Sequence, residues 1–435
     1  MSLLQLKWLG NHKALLVLLL LFSFIARVWN LEHPNSFYFD EVYHAYTAEA
    51  YARNDPAGYE WWHDSPSEIP YCTAPKCAAY EWLHPPLAKL IQAGSIKILG
   101  DQPFAWRYPG VLFGMGIIIL LYLFGVKIFN SSRLGLLAAF IYALDGLAFT
   151  SSRITMNDTY LAFWVVLSLY LFLIKKPLWL VGLVLGLAIA TKWPGVFAIG
   201  VIGFLWLVKE VRGIREIRVF LQKLVFAFFC FFVLPSMVYV ASYGQFWLQG
   251  HTLEQFGELH QQIWWYQTNL KAEHPYSSRP HEWALSLRPL YAYSQGVNDG
   301  KEVQNIYLMG NPFVFWGGLL GVAYALWYLF KSKLSQVRSK HHFFLFAVLA
   351  TYLVIFTPWF LSPRIMFIYH YVPAVPFLAL ILAWFFDGFW TKQKLLVTCH
   401  LLLIAFAFLY FYPHWTGITV SGWWDLQYYW LPTWR

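Results

Sequence analysis

The residues best suited to chemistry in this sequence are two adjacent acids, Asp40 and Glu41, which follow shortly after an apolar run. The aromatic residues that crowd this pair are Phe37, Tyr38, Phe39, Tyr43 and Tyr46. Ionisable groups beside apolar surface at a membrane are costly to place and usually functional. A carboxylate held there can act as a general base toward a hydroxyl group.

A second set of polar residues is predicted to lie on the same side of the membrane. Its members are His84, Arg107, Arg153, Asp158, Lys192, Arg288, Arg364 and His370. Arg and Lys at the headgroup level suit a phosphate ligand. His84 precedes two prolines that indicate a helix start, which is itself an anion site. Phosphate-binding groups beside a carboxylate are what glycosyl transfer from a lipid phosphate requires, because the leaving phosphate needs cations and the acceptor hydroxyl needs a base.

Several of these residues also have purely structural interpretations, which the sequence leaves open. The basic residues that could serve only as snorkelling anchors are Arg107, Arg153 and Arg364. Asp158 could cap a helix, His370 could be a satisfied interfacial histidine, and Glu41 could only orient its neighbour. For the Asp40–Glu41 pair and for His84 we favour the functional interpretation over the structural one.

Composition places the chain among polytopic membrane proteins. Of its 435 residues, 59% are hydrophobic, 21% aromatic and only 12% charged, with a mean hydropathy of +0.48. A soluble domain carries about 25% charged residues. The net charge of +9 could suggest nucleic acid, but the basic residues fall in short loops on one side of the predicted membrane. We therefore expect membrane lipids as partners and no nucleic acid.

Apolar runs long enough to cross a bilayer predict eleven spans, with an uncertainty of one or two. They are residues 12–30, 107–128, 133–150, 158–174, 177–192, 194–208, 222–244, 312–330, 342–360, 366–387 and 395–412. Basic residues concentrate at the N-terminus, which carries Lys7 and Lys13, and in the connections at 127–133, 175–176, 209–223, 331–342 and 387–394. The positive-inside rule makes this side cytoplasmic.

The remaining long segments, residues 31–105 and 245–310, are then two outer loops carrying interfacial amphipathic helices. We predict an all-α fold comprising one transmembrane domain over residues 1–435, with no separate soluble domain. The first outer loop would be the catalytic one. Cys72 and Cys77 lie in it, and a disulfide between them is plausible if the loop faces an oxidising compartment.

Seven segments give the chain a resemblance to the protein O-mannosyltransferases, integral-membrane enzymes with the GT-C fold. They are FDEVYHAYTAEAY (39–51), LHPPLAKLI (83–91), FAWRYPGVLFG (104–114), SSRITMNDTYLAFW (151–164), GLAIATKWPGVF (186–197), HPYSSRPHEWALSLRPLYAY (274–293) and PRIMFIYHYVPAVPF (363–377). The segments stand in the family's order. HPPLxKL and ATKWxG together with the Asp-Glu pair make a specific combination.

The resemblance implies transfer of mannose from a polyprenyl-phosphate mannose donor to a Ser or Thr hydroxyl of a protein, with inversion at the anomeric carbon. It implies eleven spans and Asp40, with Glu41 beside it, as general base or at least as the group that activates the acceptor hydroxyl. His84 and Arg107 are assigned to the donor phosphate or to positioning it. The resemblance implies no cofactor. An Asp-Glu pair can hold a divalent ion, but we expect no metal to be required.

Eukaryotic members of the family carry a large soluble domain between the seventh and eighth spans, where this chain has only the second outer loop. This difference indicates a bacterial-type member in the cytoplasmic membrane, with its site on the periplasmic face.

Two alternatives stay open. One is a related GT-C enzyme acting on a lipid or glycan, such as the aminoarabinose transferases. The other is a lipid flippase or transporter, which would place charges mid-span on several helices; such charges are scarce here.

Overall fold

The computed structural model describes residues 11–74, 76–211, 216–331 and 339–435. Lys7, residues 212–215 and residues 332–338, which contribute to the topology argument, lie outside this part. The α-helices are α1 His12–Val28, α2 Glu41–Ala52, α3 Leu87–Leu99, α4 Pro103–Lys127, α5 Ser132–Ala143, α6 Gly146–Ser151, α7 Asp158–Leu173, α8 Leu178–Thr191, α9 Gly195–Val211, α10 Ile217–Phe228, α11 Leu234–Ser242, α12 Gly244–Leu248, α13 Leu253–Asn269, α14 Pro280–Ala284, α15 Pro312–Lys331, α16 Lys340–Phe356, α17 Val375–Phe389, α18 Lys394–Thr416 and α19 Gly422–Asp425.

Each of the eleven predicted spans overlaps one or more of these helices. Within the described residues, the helical segments long and apolar enough to cross a membrane number six, at Pro103–Lys127, Ile217–Ser242, Pro312–Lys331, Lys340–Leu361, Ile368–Phe389 and Lys394–Thr416. The shorter apolar helices include α5, α7 and α8. The chain is thus a multi-pass membrane protein, while the count of eleven spans and their sidedness stay predictions.

Small residues let the transmembrane helices approach closely. In α8, a Cβ at Gly182 would lie 2.0 Å from the Cys230 carbonyl oxygen, and one at Gly186 would lie 2.6 Å from the Cβ of Val238. In α4, a Cβ at Gly110 would lie 2.8 Å from the Ser152 carbonyl oxygen. Such small residues are typical of helix seams in membranes, where backbone proximity replaces the hydrophobic driving force.

The prediction of an all-α fold was wrong in one respect, because part of the second long segment forms a sheet. Strand β1 Leu290–Val297 pairs antiparallel with β2 Glu302–Leu308, and β2 pairs with the short β3 Val420–Ser421 near the C-terminus. Asn298, Asp299 and Gly300 form the turn, all with positive φ. Asn, Asp and Gly tolerate that conformation best, so they specify the hairpin.

The first long segment packs α2 against α3 over a core of small and aromatic side chains. Ala45 and Ala48 of α2 are fully buried, and so are Ala105 and Trp106 at the start of α4. Cys72 and Cys77 are joined in a disulfide that closes the loop between α2 and α3. This arrangement holds the beginning of α2, where Asp40 lies, against the membrane helices.

Candidate active site

Asp40 lies at the N-terminal end of α2, and its carboxylate makes no hydrogen bond or ion pair with the described residues. As the N-cap residue it makes no side-chain capping bond. Phe39, before it, has a φ of 50°, which is uncommon for a bulky residue and typical of functional sites. The Phe39 ring contacts Phe367 and Tyr369, with centroids 6.2 and 5.9 Å away.

The surroundings of Asp40 make it a stronger base than an ordinary aspartate. Burial raises the pKa of Asp40 to about 6, and the charges of Asp158 and Glu81 act in the same direction. His44 and Lys192 oppose this shift. A carboxylate with this pKa is mostly ionised at neutral pH yet still accepts a proton readily, as a general base should.

A buried ionic cluster lies beside Asp40 and includes His84. The Lys89 ammonium on α3 donates to the Glu81 carboxylate and backbone carbonyl and, at 3.2 Å, to the His84 carbonyl. His44 lies one helical turn from Asp40, with its Nδ1 3.5 Å from Glu81 Oε2. The His44 and His84 rings stack with centroids 6.0 Å apart.

The charge states in this cluster follow from its contacts. Burial alone would raise the pKa of Glu81, but Lys89, His84 and His44 together hold it well below its usual value. Burial and the nearby cations Lys192 and Lys89 hold the pKa of His84 well below its ordinary value, although Glu81 opposes them. Glu81 is therefore ionised at neutral pH, and His84 is a neutral imidazole that can donate one hydrogen bond.

Lys192 and Asp158 form a buried ion pair whose charges also act on Asp40. The Lys192 ammonium lies 2.9 Å from Oδ1 and 3.0 Å from Oδ2 of Asp158. It also lies 5.4 Å from the centre of the Tyr369 ring. Both side chains were predicted from the sequence, but the predicted helix cap at Asp158 is not formed by its own side chain; its carboxylate instead meets the lysine.

Glu41 is fully engaged in a second buried pair, with Arg107. The guanidinium meets both carboxylate oxygens, Nε at 2.9 Å and Nη2 at 2.8 Å. The backbone N–H of Thr155 donates to Glu41 as well. The remaining N–H groups of Arg107 donate to the carbonyls of Leu31, Pro34 and Ser36. This geometry fits a positioning role for both residues better than contact with substrate.

Arg153 is likewise occupied by backbone. Its guanidinium donates to the carbonyl oxygens of Ala26, Arg27, Trp29 and Asn30 at the C-terminal end of α1. A cation at this end of a helix satisfies carbonyls that have no helical partner. Arg153 therefore stabilises the end of α1, in contrast to its predicted place at the donor phosphate.

The remaining predicted residues are Arg288, in the second long segment, and Arg364 and His370, which follow α16. Arg364 donates to the amide oxygen of Gln267 and has no acidic partner within the described residues. His370 is buried and stacks on Trp283 with centroids 5.8 Å apart, and the cations facing it include Lys192 and Arg364. Arg288 donates to the Pro275 carbonyl, and no contact with the Asp40 cluster is found among the described residues.

Sequence reasoning missed several residues that the structure places here, namely His44, Glu81, Lys89 and Tyr369. The spacing of Asp40 and His44 was a usable signal, because residues four apart share a helix face. Asn157 is 1% exposed, and neither its amide nitrogen nor its amide oxygen has a hydrogen-bond partner among the described residues. A buried amide of this kind calls for an explanation, and a polar ligand would supply one.

The described residues include no group of three His, Cys, Asp or Glu side chains arranged to hold a metal ion. The acids nearest Asp40 are already neutralised, Glu41 by Arg107, Asp158 by Lys192 and Glu81 by Lys89. In the described part of the chain, the site therefore offers the Asp40 carboxylate, the neutral His84 imidazole and the Arg364 guanidinium, which has no acidic partner.

Solved structures share this fold. The S. cerevisiae protein O-mannosyltransferase Pmt1–Pmt2 complex bound to the sugar donor matches with a TM-score of 0.79 and 16% identity, over 98% of this chain and 93% of that one. ArnT from Cupriavidus metallidurans bound to undecaprenyl phosphate matches with a TM-score of 0.59 and 15% identity, over 92% of this chain and 76% of that one. The fold is that of the GT-C membrane glycosyltransferases.

Sequence comparison is more specific. The family described as dolichyl-phosphate-mannose-protein mannosyltransferase matches residues 17–253, and the C-terminal four-transmembrane region of protein O-mannosyltransferase matches residues 252–434. The chain belongs to the protein O-mannosyltransferase family and is a glycosyltransferase. The polyprenol-phosphate-mannose–protein mannosyltransferases of Mycobacterium tuberculosis and Mycolicibacterium smegmatis are 25% and 26% identical to it. Each match covers 81% of this chain, and 81% and 82% of the respective relative.

Proposed function

We propose that this protein transfers mannose from a polyprenyl-phosphate mannose to Ser or Thr hydroxyls of proteins, with inversion at the anomeric carbon. The acceptor oxygen attacks C1 of mannose opposite the phosphate. The C1–O bond to the acceptor forms while the bond to the phosphate breaks, and the hydroxyl proton passes to Asp40. The observation that carries this proposal is the unpaired Asp40 carboxylate with its pKa raised to about 6.

The leaving phosphate would be held by Arg364 and His84. Among the described residues Arg364 has only neutral partners, the Gln267 amide oxygen and the Ile365 carbonyl, so its charge is available to an anion. Lys192 adds positive potential, although Asp158 neutralises much of it. His84, neutral at pH 7, can donate a hydrogen bond without a change in charge. Hydrogen bonds and charge placed where the negative charge develops are a large source of rate acceleration.

Asn157 is placed to bind a sugar hydroxyl. Its buried amide lies next to Asp158 in the chain and can both donate and accept. Binding a hydroxyl there would satisfy groups that are otherwise desolvated without compensation.

We place the reaction on the outer, periplasmic face of a bacterial cytoplasmic membrane. The positive-inside rule supports this orientation, because basic loops lie opposite the segments carrying Asp40 and Arg364. The disulfide between Cys72 and Cys77 supports it too, since disulfides persist in oxidising compartments.

The decisive experiment replaces Asp40 by Asn in the purified protein, with radiolabelled polyprenyl-phosphate mannose and a Ser/Thr peptide as substrates. We expect kcat to fall by about 10²–10⁴-fold with donor binding retained, which is what a lost general base costs. Asp64→Asn, at an exposed acid of the same segment, is the matched control and should leave the rate unchanged. Near-normal turnover by Asp40→Asn would overturn the assignment, and label recovered in lipid instead of peptide would favour a lipid acceptor.

A further inference from the structure

A cleft of about 580 Å³ lies in the second long segment, beside the cluster just described. One wall is residues 270–275, which follow α13, and the other is Pro363, Ile365 and Met366. Ser278 and Glu282 line its floor. This volume is within the usual range for ligand sites.

Two hydrogen bonds connect residues 364–366 to the second long segment. The backbone N–H of Ser278 donates to the Met366 carbonyl at 2.9 Å. The side chains of Arg364 and Gln267 are hydrogen-bonded to each other. The cleft is therefore tied to the same short stretch that supplies Arg364 to the site.

One wall offers free backbone groups. Leu270 leaves α13 with φ −59° and ψ 111°, and the residues after it form no helix or strand. Lys271, Ala272 and Glu273 are exposed, and their backbone N–H and C=O groups have no hydrogen-bond partner within the described chain. A short run of unpaired backbone can bind an extended peptide by main-chain hydrogen bonds.

Ring contacts connect this wall to the general base. The His274 ring meets the Phe367 ring with centroids 5.1 Å apart, and Phe367 meets Phe39, the residue before Asp40. A chain lying along the wall could place one of its side chains toward Asp40, because an extended residue advances about 3.3 Å and alternate side chains face the same way.

The charges in the cleft favour a neutral polypeptide over an anion. The two cations that line it, Lys271 and Arg279, are matched in number by two acids, Glu273 and Glu282. Main-chain hydrogen bonds depend little on the side chains of the peptide, which suits an enzyme that must accept Ser or Thr in many sequence contexts.

We propose that the acceptor polypeptide docks in this cleft in extended form, paired with the backbone of residues 271–273. This inference rests on the proposed function, since it names the place where the acceptor of that same reaction binds.

Cross-linking tests the location. In a Cys399→Ser background, Ala272→Cys is incubated with a Ser/Thr peptide carrying an activated disulfide. The control is Glu254→Cys, an exposed position on α13 of the same segment. We expect at least tenfold more adduct at position 272, suppressed by unmodified peptide. Equal adduct at both positions would overturn the proposal.

Kinetics test the pairing. Ala272→Pro removes one backbone N–H, whereas Ala272→Gly keeps it. We expect Ala272→Pro to raise the acceptor KM about tenfold, with kcat and the donor Kd within about twofold of the parent. An unchanged acceptor KM would refute the pairing. If the parent protein labels peptide while both tests fail, only the docking site is wrong; if the parent labels no peptide, the proposed function fails and the docking site fails with it.

Discussion

The raised pKa of Asp40 predicts how the reaction depends on pH. With a pKa of about 6, Asp40 is about 90% ionised at pH 7 and about 10% ionised at pH 5. An Asp with its ordinary value would remain ionised at both. If Asp40 is the base, kcat/KM should therefore fall about tenfold between pH 7 and pH 5, because only the carboxylate accepts the proton.

The assay is initial-rate transfer of radiolabelled mannose to a peptide across pH 4.5–8.5, with donor binding measured at each pH to separate affinity from chemistry. A kcat/KM that stays flat down to pH 5 would refute the reasoning.

Variants that change the charge near Asp40 provide a second test of its pKa. Lys192→Met removes a charge that lowers the pKa of Asp40 and leaves Asp158 unpaired. The fall of kcat/KM on the acid side of the pH profile should therefore begin at a higher pH. In Lys192→Met/Asp158→Asn the two opposing charges are lost together, and the pH at which kcat/KM falls should return toward that of the parent.

Three further predictions concern the groups around Asp40. Arg364→Met should raise the donor Kd more than tenfold by isothermal titration, because it removes the unpaired cation, whereas Arg288→Met should change it less than twofold; equal effects would contradict the phosphate assignment. Glu41→Gln breaks the buried pair with Arg107 and should destabilise the fold by about 3–5 kcal/mol, seen as a large fall in Tm, and an unchanged Tm would exclude the positioning role. EDTA should change kcat by less than twofold, because the acids near Asp40 are paired with cations; loss of activity restored by Mg²⁺ or Mn²⁺ would show that a metal is required.

Membrane class and helix positions could be predicted from the sequence because they depend on local signals, whereas the catalytic role of Asp40 stays a prediction. Apolar length identifies candidate spans. Asp40 is conspicuous as an acid among aromatic residues. The hairpin was also locally signalled by Asn298-Asp299-Gly300, but the second long segment was predicted to carry interfacial helices and no strand.

The roles of the charged residues could not be predicted because each depends on a partner far away in the chain. Arg107 and Glu41 are 66 residues apart, and Lys192 and Asp158 are 34 apart. In the sequence alone an arginine resembles a phosphate ligand. Only the fold shows that the guanidinium groups of Arg107 and Arg153 are hydrogen-bonded to groups of the protein itself. Arg364 differs from them only in lacking an acid or a set of carbonyls to bind.

The contacts of Arg107 have a consequence for biosynthesis. The guanidinium holds three carbonyls between Leu31 and Ser36 together with Glu41, yet it belongs to α4, which is translated well after them. The backbone leading to Asp40 therefore cannot take its final course until α4 has been inserted and Arg107 has reached these groups. Under the proposed function we therefore expect a growing chain to stay inactive until α4, which forms the second predicted span, has been inserted.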